Sequence, residues 1–354
     1  MSEKIYQLTR FSHGAGCGCK VAPQVLQQML KGRSNTHHKD KALLVGNENN
    51  DDAAAYDLGN GSALIATTDF FTPIVDDAFD FGRIAAANAI SDVYAMGGRP
   101  LLALAILGWP VEQLPPELAA QVTEGGRTIC TEAGITLAGG HTIDSKEPLF
   151  GLAVNGLVTI SNIKRNSGAA EGDLLLLTKP IGTGIFSTAK KRGLLQDEHY
   201  PALLSQLTRL NKTGEALGSL KTVSAMTDVT GFGLLGHLIE MAAGSKLTAE
   251  LYYNKVPKMK NLDIYLKQNT IPDATYRNWN AYQHQVEFTE EVNVMEAFSV
   301  LPDPQTNGGL LIAVKPDGLS EVQDHLAANG LGDHGEPVGC FTSLQGKQIV
   351  VKNI

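Results

Sequence analysis

The sequence contains two successive series of strand-like and helix-like segments, and a polar stretch separates them. In the first series, FDFGRIAAANAISDVYAMGG (79–98) predicts a helix, because Ala, Ile and Val recur at helical spacing and a glycine pair follows. The apolar run LLALAILGW (101–109) is short and bounded by prolines, which predicts a buried strand. After the polar stretch SNIKRNSGAAEGD (161–173), a strand, a glycine turn and a helix follow again. This alternation in both halves predicts a mixed α/β, or α+β, chain.

The length and the polar stretch together indicate how the chain is divided. A chain of 354 residues exceeds one typical core and suits two domains. We take 161–173 as the boundary, so the N-terminal domain spans 21–160 and the C-terminal domain spans 174–354. Residues 1–20 have no clear period and are rich in glycine and polar residues, which favours a flexible N-terminal arm.

The charge balance and the cysteines limit the class of partner and the compartment. Lys and Arg total 29 and Asp and Glu total 37, which gives a formal net charge of −8. An acidic chain is a poor candidate for general nucleic-acid or anionic-membrane binding, and we expect neither. A membrane span needs about 20 apolar residues, and no run here is that long. Four cysteines in this length do not make a disulfide framework, and the N-terminus lacks a signal-peptide pattern, so we expect a cytoplasmic protein with reduced thiols.

Several aspartates stand beside apolar or glycine-rich sequence, at strand ends or on a mostly apolar helix. They are Asp51, Asp52, Asp69, Asp92 and Asp228. A buried carboxylate is costly unless it is paired, hydrogen-bonded or bound to a metal. Mg²⁺ prefers oxygen ligands and is typically held by a few carboxylates together with substrate phosphates. Each aspartate alone is also explained as a helix cap or turn residue. The set favours a metal–nucleotide site, with Asp52, Asp92 and Asp228 as the best ligands.

Two glycine-rich segments each follow a strand-like run and predict tight turns. They are AGGHT (138–142) and TGFGLLGH (230–237). Backbone N–H groups in such turns, or at the start of the following helix, can hold phosphate oxygens. Neither segment matches the Walker A or the dinucleotide-binding pattern, so a purely structural turn is an equal alternative. His237 lies on the face of a predicted helix, which favours a core or capping histidine. The prolines of LPDPQTNGG (301–309) indicate a structural turn before a strand.

The segment HGAGCGCK (13–20) places two thiols and a lysine among glycines. A zinc site needs about four ligands, and His13, Cys17 and Cys19 supply three. A disulfide between residues two apart would be strained, and Val21 after Lys20 excludes a Walker A loop. What remains is a thiol near a cation, where Lys20 would lower a thiol pKa or reach phosphates. An exposed, disordered tail is the other interpretation of this segment.

Taken together, the motifs resemble those of the selenophosphate synthetase (selenide, water dikinase) family, within the aminoimidazole-ribonucleotide-synthetase-like superfamily of ATP-binding enzymes. The resemblance covers nearly the whole chain, and its motifs stand in the expected order: HGAGCGCK (13–20), VGNENNDDAAAYDLGNG (45–61), TTDFF (67–71), FDFGRIAAANAISDVYAMGG (79–98), AILGWP (105–110), TEGGR (123–127), LAGGHTID (137–144), FGLAVNG (150–156), AMTDVTGFGLLGHL (225–238) and DPQTNGG (303–309). It implies a two-domain fold in which each domain is a mixed sheet packed with helices.

The resemblance also implies an activity and its partners. ATP, selenide and water would give selenophosphate, AMP and orthophosphate, for selenocysteine and selenouridine formation. It implies Mg²⁺, a monovalent cation such as K⁺, and a homodimer with the ATP site near the dimer interface. Selenide would arrive free or from a selenium-delivery protein.

The resemblance assigns site residues by motif. Cys17 and Lys20 match the catalytic positions of the arm, and Asp52, Asp92 and Asp228 match the Mg²⁺ ligands. The ATP contacts match Lys20, Asn49, Asn50, Asp51, Asp69, Asp92, Gly140, His141 and Thr142. The hypothesis is that the arm closes over ATP, that Lys20 meets phosphate oxygens, and that Cys17 handles or delivers selenium.

Two departures and two alternatives accompany this interpretation. We expect Ser where Asn307 stands and Val where Ala55 stands, and Cys19 has no clear role. A different ATP-using superfamily member would explain the aspartates but leave the Cys17–Lys20 segment without a task. A non-catalytic selenium- or metal-binding protein would use that segment but leave the aspartates unexplained.

Overall fold

The computed structural model describes residues 6–12, 16–21, 23–30, 40–46 and 50–354. Two sheets form, one from each half of the chain, which confirms the α+β class. No helix in the described ranges is long and apolar enough to cross a membrane.

The first sheet has six strands in the order β1-β2-β3-β6-β4-β5. Its neighbours are antiparallel except β4 and β5, which are parallel. The strands are β1 (Leu43–Val45), β2 (Ala54–Asp57), β3 (Ser62–Phe71), β4 (Arg99–Trp109), β5 (Thr136–Asp144) and β6 (Leu149–Thr159). Helices α2 (Ala78–Ala95) and α3 (Pro116–Glu132) cover one face of this sheet, and α1 (Pro23–Leu30) precedes it.

Helix α2 lies between the first sheet and the second half of the chain. The side chain of Asp77 accepts a hydrogen bond from the N–H of Asp80 and caps the start of the helix. The helix packs closely against α3, because a Cβ on Gly82 would lie 1.8 Å from the carbonyl oxygen of Val122. Most of α2 is buried, since its other faces meet the sheet and elements of the second half. Its largely apolar sequence suits this burial on several sides.

The second sheet has seven strands in the order β10-β13-β9-β12-β7-β11-β8. They are β7 (Leu174–Leu177), β8 (Val223–Asp228), β9 (Leu247–Tyr252), β10 (Val286–Phe288), β11 (Leu310–Val314), β12 (Gly339–Ser343) and β13 (Ile349–Lys352). The helices are α4 (Thr183–Lys191), α5 (Tyr200–Thr208), α6 (Thr213–Ser219), α7 (Gly233–Ser245), α8 (Leu262–Lys267), α9 (Asp273–Tyr282), α10 (Val294–Val300) and α11 (Leu319–Ala328). The edge strand β8 contacts α2, so the two sheets meet at that helix.

The polar stretch 161–173 lies between the last strand of the first sheet and the first strand of the second. It packs against the second half of the chain. The ammonium of Lys164 is buried and donates to the carbonyl oxygens of Leu220 and Val223 at 2.9 and 2.8 Å. The stretch therefore connects two sheets that contact one another.

The prediction of a glycine turn at 138–142 is wrong. Strand β5 continues through this segment as far as Asp144. The pairing with β4 shifts by one residue there, because Ala103 lies opposite Leu137 but Ala105 lies opposite Gly140. A Cβ on Gly140 would lie 2.2 Å from the carbonyl oxygen of Ala105. The glycines thus permit a bulge and a close backbone approach within a strand.

Candidate active site

Four aspartates from both halves of the chain lie close together where the sheets meet. Asp52 precedes β2, Asp69 lies on β3, Asp92 lies on α2, and Asp228 ends β8. Side chains alternate along a strand, so Asp69 shares the inward face of β3 with buried Ile65 and points toward α2. We call Asp52, Asp69, Asp92 and Asp228 the acidic cluster.

A neighbouring element orients each of Asp69 and Asp92. Thr67 on β3 donates to Asp92 Oδ2 at 2.5 Å, and Asn88 on α2 donates to Asp69 Oδ2 at 2.7 Å. These two bonds connect β3 and α2 in both directions. Asn88 and Asp92 are four residues apart and lie on one face of the helix, so both side chains can meet β3.

The other two carboxylates are held in the same manner. Ser91 on α2 donates to Asp228 Oδ2 at 2.5 Å, and Thr227 on β8 donates to Asp52 Oδ1 at 2.7 Å. The hydroxyl–carboxylate bond between Ser91 and Asp228 crosses from the first half to the second. The geometry of the acidic cluster therefore depends on how the halves pack.

Burial and mutual repulsion make the cluster unfavourable when it is fully ionised. Burial, followed by the charges of Asp228 and Asp92, raises the pKa of Asp52 well above its ordinary value. Burial and the charges of Asp228 and Asp69 likewise raise the pKa of Asp92. The pKa of Asp228 is also raised, first by burial, against the lowering effect of the Ser91 hydrogen bond. A bound cation would offset this repulsion.

The carboxylates fit an Mg²⁺ ion that takes some of its ligands from the protein and the rest from a substrate and water. Asp52 Oδ2 is buried and has no hydrogen-bond partner among the described residues, so an oxygen lone pair is left for a ligand. Across the described ranges, no three His, Cys, Asp or Glu side chains form a group that could hold a metal ion by themselves. Mg²⁺ commonly takes only one or two carboxylates and completes its shell with water and substrate phosphates. The carboxylates thus suit a metal that arrives with a nucleotide.

Lys20 of the N-terminal arm reaches the cluster. Its ammonium lies 3.4 Å from Asp69 Oδ2, and its side chain is 35% exposed. The arm approaches through a short 3₁₀ turn, Gly16–Cys19, in which the N–H of Gly16 donates to the carbonyl oxygen of Thr72. The backbone of Cys17 belongs to this turn, whereas its side chain and residue Asn49 lie outside the described part of the chain.

Asn50 and Asp51 border the cluster and are attached to the second half. The amide of Asn50 donates to Glu240 Oε1 at 3.2 Å, and the N–H of Asn166 donates to Asp51 Oδ1 at 2.9 Å. Glu240 lies on α7 beside His237, and burial raises its pKa to about 7. Burial lowers the pKa of His237 to about 3. The expectation that His237 is a core histidine agrees with its burial.

Gly140, His141 and Thr142 lie away from the acidic cluster within one chain. Asp69 pairs with Leu152, Leu152 with Ala105, and Ala105 with Gly140, so these residues form one row across the sheet. Three interstrand spacings separate the ends of the row, which is about 14 Å. All three predicted ATP contacts on β5 are exposed, on the edge strand. The chain by itself does not bring them to the cluster.

Sequence reasoning missed the residues that support the cluster from behind. The N–H of Asn307 donates to Asn88 Oδ1 at 2.7 Å, and the carbonyl oxygen of Asn307 accepts from buried Lys179 at 2.9 Å. Asn211 donates to the hydroxyl of Ser91 at 2.8 Å. By its sequence, the DPQTNGG motif indicates only a turn. The one feature that could have indicated a supporting role is that its polar residues stand directly before a buried strand. Burial lowers the pKa of Lys179 to about 7.

Comparisons with known proteins identify the family and the fold of the chain. The family model "AIR synthase related protein, N-terminal domain" matches residues 50–158, and the model for the C-terminal domain of the same family matches residues 170–352. Among solved structures, the hydrogenase maturation protein HypE in complex with ATP superimposes with a TM-score of 0.65 at 19% identity, covering 89% of this chain and 87% of that one. Thiamine-monophosphate kinase from Stenotrophomonas maltophilia gives a TM-score of 0.63 at 19% identity, covering 93% and 94%. These structures share the fold.

Curated relatives are much more similar in sequence. A selenide, water dikinase from Photorhabdus laumondii is 53% identical over 332 residues, which is 94% of both chains. The enzyme of the same name from Yersinia pseudotuberculosis is 49% identical over 352 residues, or 99% of both. One from Escherichia coli is 52% identical over 332 residues, again 94% of both. The chain therefore belongs to the selenide, water dikinase family of AIR synthase related proteins.

Proposed function

We propose that the acidic cluster is where this selenide, water dikinase performs its reaction. ATP, selenide and water give selenophosphate, AMP and orthophosphate. The observation that supports this location is the convergence of four aspartates from both halves with Lys20 of the arm, which lies 3.4 Å from Asp69. A nucleotide with several phosphate charges requires such a combination of metal-binding carboxylates and a cationic side chain.

Asp52, Asp92 and Asp228 would hold Mg²⁺ in this proposal together with phosphate oxygens of the nucleotide and water. When bound, Mg²⁺ neutralises charge that develops on the transferred phosphoryl group. The protein's own contribution is positional. The hydroxyl groups of Thr67 and Ser91 hold the carboxylates of Asp92 and Asp228 at 2.5 Å, so that their oxygens need little reorganisation during the reaction.

Lys20 and Asp69 would control access to the phosphates. The ammonium of Lys20 is close to Asp69, and a phosphate oxygen can replace that partner. The turn that carries Lys20 then covers the site. Two phosphoryl groups leave one nucleotide in succession, so water must be kept from the first transfer.

Cys17 is the proposed residue for handling or delivering selenium. It lies on the short turn that carries Lys20 to the acidic cluster, so a substitution that moves this turn would displace Cys17 and Lys20 together. A nearby ammonium also favours the thiolate form of a cysteine. Measuring selenide-dependent AMP formation by the Cys17→Ser variant tests this role. Full activity in that variant would contradict it.

A homodimer would bring the predicted ATP contacts on β5 to a nucleotide. Phe70, Leu104 and Ile143 are 48%, 41% and 52% exposed and lie on the first sheet, whose opposite face is covered by α2 and α3. A second copy packed on this face would cover them. It would also supply Gly140, His141 and Thr142, which lie about 14 Å from Asp69 within one chain by strand spacing. The nucleotide would then lie near the dimer interface, beside Asn50 and Asp51.

Three further parts of the proposal rest on the family resemblance and on composition. A monovalent cation, K⁺ in the first instance, would accompany Mg²⁺. Selenide would be used free or from a selenium-delivery protein. We expect the enzyme in the cytoplasm, where its thiols stay reduced.

The test is anaerobic phosphorus NMR of the purified protein with ATP, Mg²⁺, K⁺ and selenide, next to a sample without selenide. We expect a selenophosphate signal and AMP only when selenide is present. Intact ATP, or ADP as the end product without a phosphorus–selenium species, would reject the proposed reaction. Repeating the measurement with Asp92→Asn tests the location, because that variant should lose both products.

A further inference from the structure

A cavity lies beside the arm, and its lining includes no member of the acidic cluster. Its volume is about 310 Å³, and it is bounded by α4, the start of α9, the loop 304–306 and Gly18. We call it the cation-lined cavity, because three of its four charged side chains are cationic. They are Lys191, Arg192 and Arg277, and the fourth is Asp273.

The described contacts of the two arginines leave their charges available to an anion. Arg192 donates to the carbonyl oxygen of Asn269 at 2.8 Å, and Arg277 donates to that of Gly18 at 2.8 Å. A carbonyl oxygen accepts a hydrogen bond without neutralising a guanidinium. Among the described residues, neither arginine forms an ion pair.

A buried hydroxyl adds an independent sign of a ligand. Ser187 on α4 lines the cavity and is 4% exposed, and its Oγ has no hydrogen-bond partner among the described residues. A buried hydroxyl without a partner is costly, and a bound anion would accept its proton in a hydrogen bond. Ser187 and Lys191 are four residues apart on one helix face, so both can meet one ligand.

The position of the cavity suggests which anion it takes. Selenide at neutral pH is the hydroselenide anion, and the acidic cluster with bound nucleotide repels anions. The cation-lined cavity attracts them, and it borders Gly18, between Cys17 and Cys19. We propose that this cavity binds hydroselenide before it reaches the nucleotide. This inference rests on the proposed function and adds the path by which hydroselenide, the anionic substrate, reaches the acidic cluster.

The test compares steady-state kinetics of wild type with Arg192→Gln and with Ser187→Ala. Lys190→Gln is the matched control, because Lys190 lies on the same helix, contacts the ring of Tyr200 and does not line the cavity. Arg277 and Lys191 are left intact because they donate to carbonyl oxygens of the arm, those of Gly18 and Ser12. Arg192→Gln should raise KM for selenide about fivefold, which corresponds to one modest charge interaction. Ser187→Ala should raise it in the same direction by a smaller factor, and KM for ATP and kcat should stay within about twofold of wild type in both.

Ionic strength separates an electrostatic role from a structural one. KM for selenide should rise with salt in wild type and in the control, and more weakly in Arg192→Gln. An unchanged KM for selenide, or an equal rise in KM for ATP, would overturn the inference. If the variants are inhibited less by orthophosphate than wild type while their KM for selenide is unchanged, the cavity is a product site, and the inference is equally overturned. A wild type without selenide-dependent AMP formation would instead reject the proposed function.

Discussion

The backbone N–H of Asn307 donates to the side-chain oxygen of Asn88 at 2.7 Å, across 219 positions of the sequence. Asn88 in turn donates to Asp69, which contacts Lys20. A loop of the second half thereby positions a carboxylate of the first half. The amide of Asn307 also donates to the carbonyl oxygens of Leu207 and Arg209, both at 2.9 Å.

Asn307→Ser should therefore destabilise the protein. Serine is the residue expected from the family resemblance, but here Asn307 has φ of 50° and its amide donates two hydrogen bonds, of which the one to Leu207 is buried. Serine is too short to reach both carbonyl oxygens. That of Arg209 still accepts from Lys179 at 2.7 Å, whereas the buried carbonyl oxygen of Leu207 loses the amide donor, which costs about 1–3 kcal/mol. Urea unfolding measures the loss. Asn269→Ser is the control, because Asn269 also has positive φ, at 55°, but is exposed. Equal losses in both variants would assign the effect to backbone conformation alone.

Local patterns predicted the elements, and contacts distant in sequence explain what they missed. Helix α2 was predictable because its apolar residues recur at helical spacing within one segment. The turn at 138–142 was predicted wrongly, because glycines in a strand bulge and glycines in a turn have the same local signature. The Ser91–Asp228 bond joins residues 137 positions apart. Such a pairing depends on how two sheets pack, and no local pattern contains it.

Lys20→Gln should reduce kcat by about 100-fold or more, because a preorganised cation near the phosphates is lost. The free energy of unfolding should change by less than about 0.5 kcal/mol, since the Lys20–Asp69 pair is partly exposed to solvent. AMP formation and urea unfolding give the two values. Lys221→Gln, on an exposed surface, is the control. Full activity in Lys20→Gln would remove Lys20 from the mechanism.

Asp92→Asn should abolish the stabilisation that Mg²⁺ and a non-hydrolysable ATP analogue give together. Ligand at 100 times its Kd should raise the free energy of unfolding of wild type by about 2.7 kcal/mol. Thermal unfolding with and without both ligands measures this gain. Asp80→Asn is the control, because Asp80 lies at the other end of the same helix and pairs with Arg83. A wild-type gain in Asp92→Asn would show that Asp92 does not hold the metal.

Stability should fall as pH rises toward 8 because of Asp303. This carboxyl is fully buried, and burial raises its pKa to about 8. The unfolded chain has an ordinary Asp pKa of about 3.9, so the folded state binds the extra proton between these values. Stability is then lost with rising pH, at about 1.4 kcal/mol per pH unit.

Asp303→Asn should remove this slope, because an amide does not titrate in this range. The amide oxygen still accepts from Gly184 and Gln305, the partners of Asp303 Oδ2, so the local contacts are kept. Urea unfolding between pH 5 and 8 measures it. The difference between variant and wild type isolates Asp303, because Lys179 titrates in both. Asp324→Asn, on an exposed helix position, should keep the wild-type slope. Parallel curves for Asp303→Asn and wild type would contradict the assignment.

Leu104→Glu should dissociate the proposed homodimer and lower activity with it. Leu104 is 41% exposed on β4, and a charge there would be buried against a second copy without a partner. Sedimentation velocity measures the oligomeric state, and AMP formation measures activity. Met295→Glu is the control, because Met295 is 73% exposed on α10 in the second half. If Leu104→Glu stays dimeric, the face of the first sheet is not the interface. If it becomes monomeric and keeps full activity, residues Gly140, His141 and Thr142 of a second copy do not complete the site.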